Sequence, residues 1–384
     1  MIQISSTQLF PEVLDSAILQ PRLASNIYLP IGAEGQIDVA GDGNVGTLYT
    51  INRVDEASTH FGPASTLYGI VKAVLDRGAG PVYAIPSKKG ATPTIADRQA
   101  AWQTLESNTT VRLRLTDSEV QADISGLAQS ASNAALINNK QIAMCGLPSG
   151  TSKANLIAGA DAIISAGVDA SKRTVLVGPG VYDASGTLRG GSFSAAFTAA
   201  EVAKNNDPSN DLDLWAILLA TGIEMDATGN PVFRRKVVTG VAVNDFEDLL
   251  KGGVSPLMPD RPGSGVQTSH LRMVYKADTT FDSLATRIII DQVFIDVRDF
   301  IYDGNYLRMG NTPQTRAKIK AGVEAVLAER SDWIQGVDQP DGTQGYNVSV
   351  TASADMRQVI VGYQGMIVRG IQTVLVAPTL TIPA

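Results

Sequence analysis

The side chains that most often perform chemistry are sparse in this sequence. It contains two histidines, His60 and His270, and one cysteine, Cys145. A Ser-His-Asp hydrolase needs a nucleophile, a base and an orienting acid, and the sequence has no G-x-S-x-G elbow to present the serine. A single cysteine offers no intramolecular disulfide and no cysteine-based metal site. We therefore interpret both histidines as structural residues, and we predict His60 near a helix end and His270 on a strand.

Two glycine-rich stretches have the residue types that bind phosphate. Gly41, Gly43 and Gly46 form a G-x-G-x-x-G pattern, but the dinucleotide fingerprint requires a strand before it and a helix after it. The run TLYTINRV that follows predicts a strand, so we interpret the pattern as a hairpin turn. The second stretch, Gly178–Gly180, follows a predicted strand, where α/β folds place ligands. It lacks the Lys-Ser/Thr of a P-loop, and we interpret it as a turn.

Acidic residues cluster in two polar loops. Asp207, Asp211 and Asp213 lie in one loop, and Asp338 and Asp341 lie in the other. Their spacing lacks the central Gly and the bidentate Glu of an EF-hand, so we predict solvated loops. The sequence therefore predicts no metal ion, no cofactor and no enzyme.

The composition is that of a globular chain without a basic domain. Hydrophobic residues make up 44% and charged residues 18%, which indicates packed cores, not disorder. A net charge of −7 disfavours direct nucleic-acid binding, because phosphate binding needs clustered basic side chains. The sequence has no run of about 18 apolar residues to insert into a membrane, and MIQISSTQLF does not have the pattern of a signal peptide. We expect a protein that is made in a cytoplasm and stays soluble until it assembles.

The elements predicted from the sequence divide the chain near residue 240, after a strand predicted over Arg234–Val243. Before it, apolar β-branched runs alternate with helical stripes such as Ala64–Asp76, which predicts a doubly wound α/β domain with parallel pairing. Beyond it, a helix over Phe281–Tyr302 and a second one starting at Thr312-Pro313 predict an α+β domain. We predict an N-terminal arm at 1–20, a middle domain at 21–240, a C-terminal domain at 241–370 and a C-terminal arm at 371–384.

Both chain ends are extended, apolar and poor in charge. Strands of this kind are unstable alone and invite pairing with another chain. We predict that they add to sheets of other copies by β-augmentation. The residues expected to form these inter-subunit strands are Ile2, Ile4, Val374, Val376, Leu380 and Ile382.

One basic stretch contrasts with the acidic chain. Arg308, Arg316, Lys318 and Lys320 lie between positions 306 and 322, and no acidic residue lies among them. They are either ordinary solvated surface charges or a docking face for an acidic partner.

Three segments resemble the C-terminal domain of contractile phage tail sheath proteins. They are FEDLLKGGVSPL, with Ser255 where the family usually has Asn, HLRMVYKADT, and the paired helices TRIIIDQVFIDVRDFIYDGNYLRMGNTPQTRAKIKAGVEAVLAE. Upstream, FGPASTLYGIVKAVLDRGAGPVYAIP resembles the N-terminal half of sheath proteins, with Gly78-Ala79-Gly80 at the family's double-glycine turn.

The resemblance implies a structural subunit that stacks as rings around an inner tail tube and contracts to drive the tube through a host envelope. It also implies strand exchange by the terminal arms, an α+β inner domain completed by the N-terminal arm, and a middle domain that faces outward. The implied partners are further copies of the chain, the tube protein, and baseplate and tail terminator proteins. The implied location is a virion tail assembled in the host bacterial cytoplasm, in a phage, a tailocin or a related contractile injection system.

Two other classes remain open from the residues. One is an α/β enzyme or small-molecule-binding protein that uses the edge at Gly178–Gly180. The other is a different virion structural protein, such as a tube or baseplate component.

Overall fold

The chain folds into two compact units in a computed structural model. The structure describes residues 2–3, 27–204, 216–238, 241–260, 265–277, 283–304, 306, 309–338, 344–352, 359–367 and 379–380. The first unit is formed by Tyr28–Asn206 with Leu212–Asp291, and the second contains Gln292–Ala384. The division falls within one long helix.

Ten helices lie in the described part of the chain. They are α1 Val54–Phe61, α2 Thr66–Asp76, α3 Ile95–Glu106, α4 Gln121–Leu136, α5 Lys153–Ala166, α6 Val168–Ser171, α7 Gly191–Lys204, α8 Asp245–Lys251, α9 Leu284–Asp303 and α10 Pro313–Glu329.

Twenty-one short strands lie in the same described residues. They are β1 Ile2–Gln3, β2 Ile31–Ile37, β3 Tyr49–Ile51, β4 Val82–Lys89, β5 Leu113–Thr116, β6 Ile142–Gly146, β7 Thr174–Gly178, β8 Val181–Asp183, β9 Leu188–Arg189, β10 Ala220–Ile223, β11 Arg235–Val238, β12 Val241–Asn244, β13 Ser255–Pro259, β14 Val266–Thr268, β15 Ile334–Gln335, β16 Val337–Asp338, β17 Gln344–Gly345, β18 Ser349–Ala352, β19 Val359–Gly362, β20 Met366–Ile367 and β21 Thr379–Leu380.

An eight-stranded sheet organises the first unit, in the order β14-β13-β7-β6-β5-β2-β4-β3. The six central strands run parallel, and β14 and β3 pair antiparallel at the two edges. Helices connect the parallel strands, as crossovers of this kind require. This confirms the predicted mixed α/β fold with a sheet rich in parallel strands.

A continuous apolar core lies between this sheet and the helices α3, α4 and α5. It contains Trp102, Leu127, Leu156 and Leu176, each at most 1% exposed. Side chains cap the ends of several helices. Thr94 and Asp97 make a reciprocal capping box at the start of α3, which satisfies N–H groups that the helix leaves free.

Two local predictions were wrong. The glycine pattern Gly41/Gly43/Gly46 is no hairpin turn, because β4 lies between β2 and β3 and pairs with both. The pattern is a loop packed on the end of α1, where a Cβ at Gly43 would come within 2.6 Å of the His60 carbonyl oxygen. The single strand expected over 234–243 is two antiparallel strands, β11 and β12, since Arg235 pairs with Asn244.

The sheet also extends past the boundary predicted near residue 240. Ser255 in β13 pairs with Val177 in β7, so the stretch after 240 contributes two strands to the α/β unit. The assignment of outer and inner domains remains a prediction.

The second unit combines α10 with small antiparallel pairs. The pairs are β1 with β21, β15 with β20, β16 with β17, and β18 with β19. Thr312 caps α10 by accepting a hydrogen bond from the Thr315 N–H, and Pro313 occupies its first position, as the sequence predicts. Ile319, Val323 and Leu327 form the buried stripe of this helix.

Candidate assembly surfaces

The carboxyl edge of the parallel sheet is occupied by a carboxylate of the chain itself. Glu224, only 5% exposed, accepts hydrogen bonds from the backbone N–H of Gly150 at 2.5 Å and of Gly180 at 3.0 Å. These N–H groups lie beyond β6 and β7, where an α/β ligand site would present its donors. The Gly180 N–H, in the turn at Gly178–Gly180, is therefore already hydrogen-bonded within the chain.

A second carboxylate fills the start of α7. Glu119 Oε1 accepts from the backbone N–H of Ser192 at 2.9 Å and from its hydroxyl at 2.8 Å. A helix amino terminus attracts anions because its first N–H groups are unpaired. Here Glu119 takes that position, so the geometry favours a closed structural edge over a phosphate site.

A buried charge cluster lies beneath the same edge. The Arg98 guanidinium contacts Glu34 Oε1 at 2.7 Å, Asp117 Oδ1 at 2.6 Å and Asp123 Oδ2 at 3.0 Å. Glu34 also accepts from the Trp102 indole at 3.1 Å. Burial raises the pKa of Glu34 to about 7, although the positive charge of Arg98 acts in the opposite direction.

The side chains at the centre of this cluster are closed to solvent. Arg98 and Glu34 are at most 3% exposed, and Asp117 is held further by the Gln36 N–H at 2.7 Å and by the Thr66 hydroxyl. Its members join α3 and α4 to β2 and β5. We assign the cluster to the positioning of these elements.

The two histidines lie in the first unit. His60 is in the last turn of α1, with Nδ1 2.7 Å from Asp42 Oδ1 and its ring 4.6 Å from that of Tyr49. His270 is half-buried after the end of β14, not on a strand as the sequence predicts. His60 is therefore held between a carboxylate and an aromatic ring at the end of its helix.

The acidic loops give no metal site in the part of the chain that the structure describes. That part contains no group of three or more His, Cys, Asp or Glu side chains placed to hold an ion. Asp207, Asp211, Asp213 and Asp341 lie outside the described residues, and Asp338 belongs to β16. No helix within the described ranges is long and apolar enough to cross a membrane.

The two chain ends pair with each other within one copy. Ile2 lies opposite Leu380 and Gln3 opposite Thr379 in an antiparallel register. Ile4, Val374, Val376 and Ile382 lie outside the described residues. Within a single copy, the strand partner of each end is therefore the other end of the same chain, and pairing between copies remains a prediction.

Three of the four basic residues singled out in the sequence lie on α10. Arg316 is half-buried and donates to the backbone and side-chain oxygens of Asn311 at 3.3 and 2.6 Å. Lys318 is exposed, and Lys320 is exposed with its Nζ 3.8 Å from Glu324 Oε1. Arg308 lies outside the described residues. Of the four, the exposed side chains on α10 are therefore Lys318 and Lys320, which are two positions apart and lie on different sides of the helix.

The most important contact missed by sequence reasoning joins β7 to α9. Arg173 donates to Asp291 at 2.8 and 3.0 Å, and Arg287 adds a 2.5 Å bond to the same carboxylate. Burial disfavours the Asp291 charge, but the two guanidinium groups outweigh it and lower its pKa. Arg287 and Asp291 are four residues apart, a spacing that is also typical of an exposed ion pair on a helix surface. The contact that distinguishes this pair is with Arg173, which is 118 residues away from Asp291 in the sequence.

The fold defined by these elements is that of contractile tail sheath proteins. No family model and no curated protein matches the sequence. Solved structures do match: a chain of the anti-feeding prophage baseplate in the contracted state is similar with a TM-score of 0.67 and 16% identity, over 94% of this chain and 95% of that one.

Two further structures agree. A chain of the contracted helical sheath of the anti-feeding prophage has a TM-score of 0.64 and 12% identity, over 93% of this chain and 94% of that one. A sheath tail protein from Listeria innocua has a TM-score of 0.65 and 12% identity, over 90% and 94%. The resemblance inferred from the sequence segments is therefore confirmed at the level of the fold.

Proposed function

We propose that this chain is the structural subunit of a contractile tail sheath, which polymerises around an inner tube and contracts to drive it through a host envelope. The observation that carries the proposal is the extent of the fold match, 94% of this chain and 95% of the matched chain. An α/β sheet alone is shared by many unrelated functions. A match that spans both compact units supports the sheath role much more strongly.

The closed carboxyl edge supports a mechanical role over catalysis. Glu224 and Glu119 occupy the backbone donors that a nucleotide or sugar phosphate would use. The energy of contraction is then stored in the assembled, extended sheath, and the subunit hydrolyses no nucleotide. The α/β enzyme considered from the sequence is not favoured.

Terminal strand exchange is the mechanism we propose for assembly. The pairing of Ile2 with Leu380 shows that the two ends are complementary. Exchange of an identical element between copies keeps the same contacts and links the copies, at little cost in free energy. The described strands of the second unit form only two-stranded pairs, which are marginal alone and gain from added strands.

The proposed partners follow from this role. They are further copies of the chain in stacked rings, the inner tube protein, and baseplate and tail terminator proteins, without direct nucleic-acid binding or membrane insertion. Arg308, Arg316, Lys318 and Lys320 are proposed to face the tube. The proposed location is the tail of a phage, tailocin or related contractile system, assembled in the host bacterial cytoplasm.

Negative-stain electron microscopy of the purified full chain tests the proposal, and hollow cylinders are expected. Deletion of 1–20 or of 371–384 should leave a folded protein, judged by its circular dichroism and thermal transition, that forms no cylinders. Cylinders formed by protein lacking both arms would contradict strand exchange. A small closed oligomer that binds nucleotides or sugars in calorimetry would contradict the sheath role.

A further inference from the structure

The two edges of the parallel sheet present different surfaces. The turn after α4 leads into β6, so it lies at the edge where the parallel strands begin. The first turns of α2 and α7 lie at the opposite edge, because Thr66 contacts Asp117 beyond β5 and the Gly191 N–H donates to Leu147 beyond β6. Features at these two sites therefore face away from each other along the strand direction.

An apolar groove between α2 and the first turns of α7 opens towards the carboxyl edge and runs along α2 as far as Asp76. It has a volume of about 460 Å³, and its apolar lining includes Ala64, Tyr68, Phe193, Phe197 and Leu219. That size is within the range of protein sites that enclose apolar ligands. The groove can thus hold a pair of aliphatic side chains.

The charged residues that line the groove neutralise one another. Lys72 pairs with Asp76, and Arg189 Nε lies 2.7 Å from Asp183 Oδ2. The Arg189 guanidinium also stacks over the Phe193 ring at 4.9 Å. A charged occupant would find no free counter-charge among these residues, and an apolar one would leave both pairs intact. The groove therefore suits an uncharged, apolar occupant.

The opposite edge carries such an occupant. Leu136 and Ile137, at the end of α4, are 77% and 58% exposed. Asn138 adopts a left-handed φ of 67°, and its N–H donates to Ala135, which fixes the turn and directs the two residues outward. The turn is anchored further by Asn139, whose side chain donates to the Glu106 carbonyl at 2.7 Å.

The surface around this turn carries one charged side chain, Lys140, which is half-buried and whose Nζ donates to the Ala135 carbonyl at 3.3 Å. Besides Leu136 and Ile137, the exposed positions of 121–139 are Ala122, Gln129, Asn133 and Asn138. The one charged residue in this stretch, Asp123, is buried. Interface centres are depleted of charged residues, because each desolvated charge needs a partner.

We propose that the groove between α2 and α7 receives the Leu136–Ile137 turn of a second copy of this chain. Because the two features lie at different places on the unit, the contact is heterologous and continues from copy to copy, in a ring or in an open line. It would link the α/β units head to tail. The proposal rests on the sheath function for its setting, and it adds a contact that is independent of the terminal strands.

Cysteine cross-linking tests this contact directly. The double variant Leu136→Cys/Ala184→Cys places one thiol on the turn and one on the exposed tip of the β8–β9 hairpin, beside the groove. Native Cys145 is buried, and burial raises its pKa to about 12, so it stays unreactive. A short bismaleimide added to assembled protein should give a ladder of dimers, trimers and longer species on a denaturing gel.

The matched control is Val45→Cys/Ala184→Cys. Val45 is 50% exposed but follows β2, at the same edge as the groove, so a head-to-tail contact cannot join these two thiols. A ladder from the first variant and none from the control would support the contact. Wild-type cylinders in the microscope with no ladder from the Leu136 variant would overturn it and leave the sheath role intact.

The two proposals fail separately. If the wild type forms no cylinders, the sheath role is contradicted. The cross-linking experiment is then carried out on a concentrated solution of the protein. A ladder there would still support the head-to-tail contact, and its absence would overturn it. Ile137→Asp added to the Leu136→Cys/Ala184→Cys variant changes only an exposed side chain, and it should abolish the ladder without changing the thermal transition.

Discussion

The carboxylate of Glu224 accepts a hydrogen bond from the backbone N–H of Gly180 at 3.0 Å, across 44 residues of sequence. A second bond comes from Gly150 at 2.5 Å. At the edge of the sheet where many α/β proteins bind ligands, the chain's own side chain thus accepts two backbone N–H groups. An anionic ligand could not use these two donors unless Glu224 moved away.

Glu224→Ala should destabilise the first unit by about 2–3 kcal/mol, because two buried N–H groups lose their charged acceptor. The loss should be partly restored by acetate or formate, which can enter the vacated space and accept the same bonds. Urea unfolding, followed by circular dichroism, measures both effects. It is carried out in about 100 mM acetate and, for comparison, in chloride at the same concentration. An equal response of the wild type to acetate would contradict specific rescue.

Glu34 should make stability fall as pH rises through the neutral range. Burial raises its pKa from 4.5 to about 7, so the folded state holds a proton that the unfolded chain has released. Its stabilising contribution is therefore complete below about pH 4.5 and is lost as the pH rises through 7. Urea unfolding at intervals between pH 4.5 and 8 should show this slope, and Glu34→Gln should flatten it.

His60→Gln provides the control for the Glu34 slope, because it removes an ionisable side chain and leaves the Arg98 cluster unchanged. The slope should persist in His60→Gln and vanish in Glu34→Gln.

Two aspartates, Asp97 and Asp183, should make stability fall in the opposite direction, as the pH decreases. Hydrogen bonds lower the pKa of Asp97 to about 2. Asp183 is partly buried, which raises its pKa, but its hydrogen bonds outweigh burial and lower the pKa to about 2. The stabilising contributions of both aspartates are therefore lost as the pH falls from about 4 to 2.

Asp291→Ala should cost about 3–5 kcal/mol of the free energy of unfolding, because it leaves Arg173 and Arg287 buried without their counter-charge. Asp161→Ala is the matched control, since Asp161 pairs with Lys276 but is 59% exposed. That pair should contribute less than about 1 kcal/mol. Equal losses in the two variants, measured by urea unfolding, would contradict a special role for the buried pair.

Gly322→Ala should destabilise the second unit although alanine favours helices. A Cβ at Gly322 in α10 would overlap the Phe300 ring of α9, so we expect a net loss of about 1–3 kcal/mol. Phe300→Leu/Gly322→Ala should recover part of it, since the smaller side chain makes room. Hydrogen exchange followed by mass spectrometry should place the loss in α10, and a loss confined to the first unit would contradict this account.

Charge reversal on α10 should weaken binding to an inner tube under the proposed sheath role. Lys318→Glu/Lys320→Glu replaces two exposed cations on different sides of the helix with acids, which an acidic tube surface would repel. Co-sedimentation with purified tubes at low and high salt measures the effect. Lys251→Glu on α8, 73% exposed in its side chain, is the control and should bind normally. Unchanged binding of the α10 variant would count against a tube-facing role.

Local sequence patterns determined the alternation of helices and strands. Thr312 with Pro313 predicts the start of α10, and the apolar stripe of α2 predicts that helix to within two residues. Capping and periodicity act within one or two turns of chain, so the identities of neighbouring residues are sufficient to predict them. The sheath-like segments likewise predicted the fold that the solved structures confirm.

Only the tertiary structure decided which distant segments meet. Position within the sequence gives no sign that β4 separates β2 from β3, that Ser255 pairs with Val177, or that Glu224 reaches Gly180. Each of these contacts depends on burial of apolar surface along the whole sheet, which favours one arrangement of many segments together. The sequence shows that Glu224 and Gly180 are present. The packing of the sheet determines that the Glu224 carboxylate accepts a hydrogen bond from the Gly180 N–H.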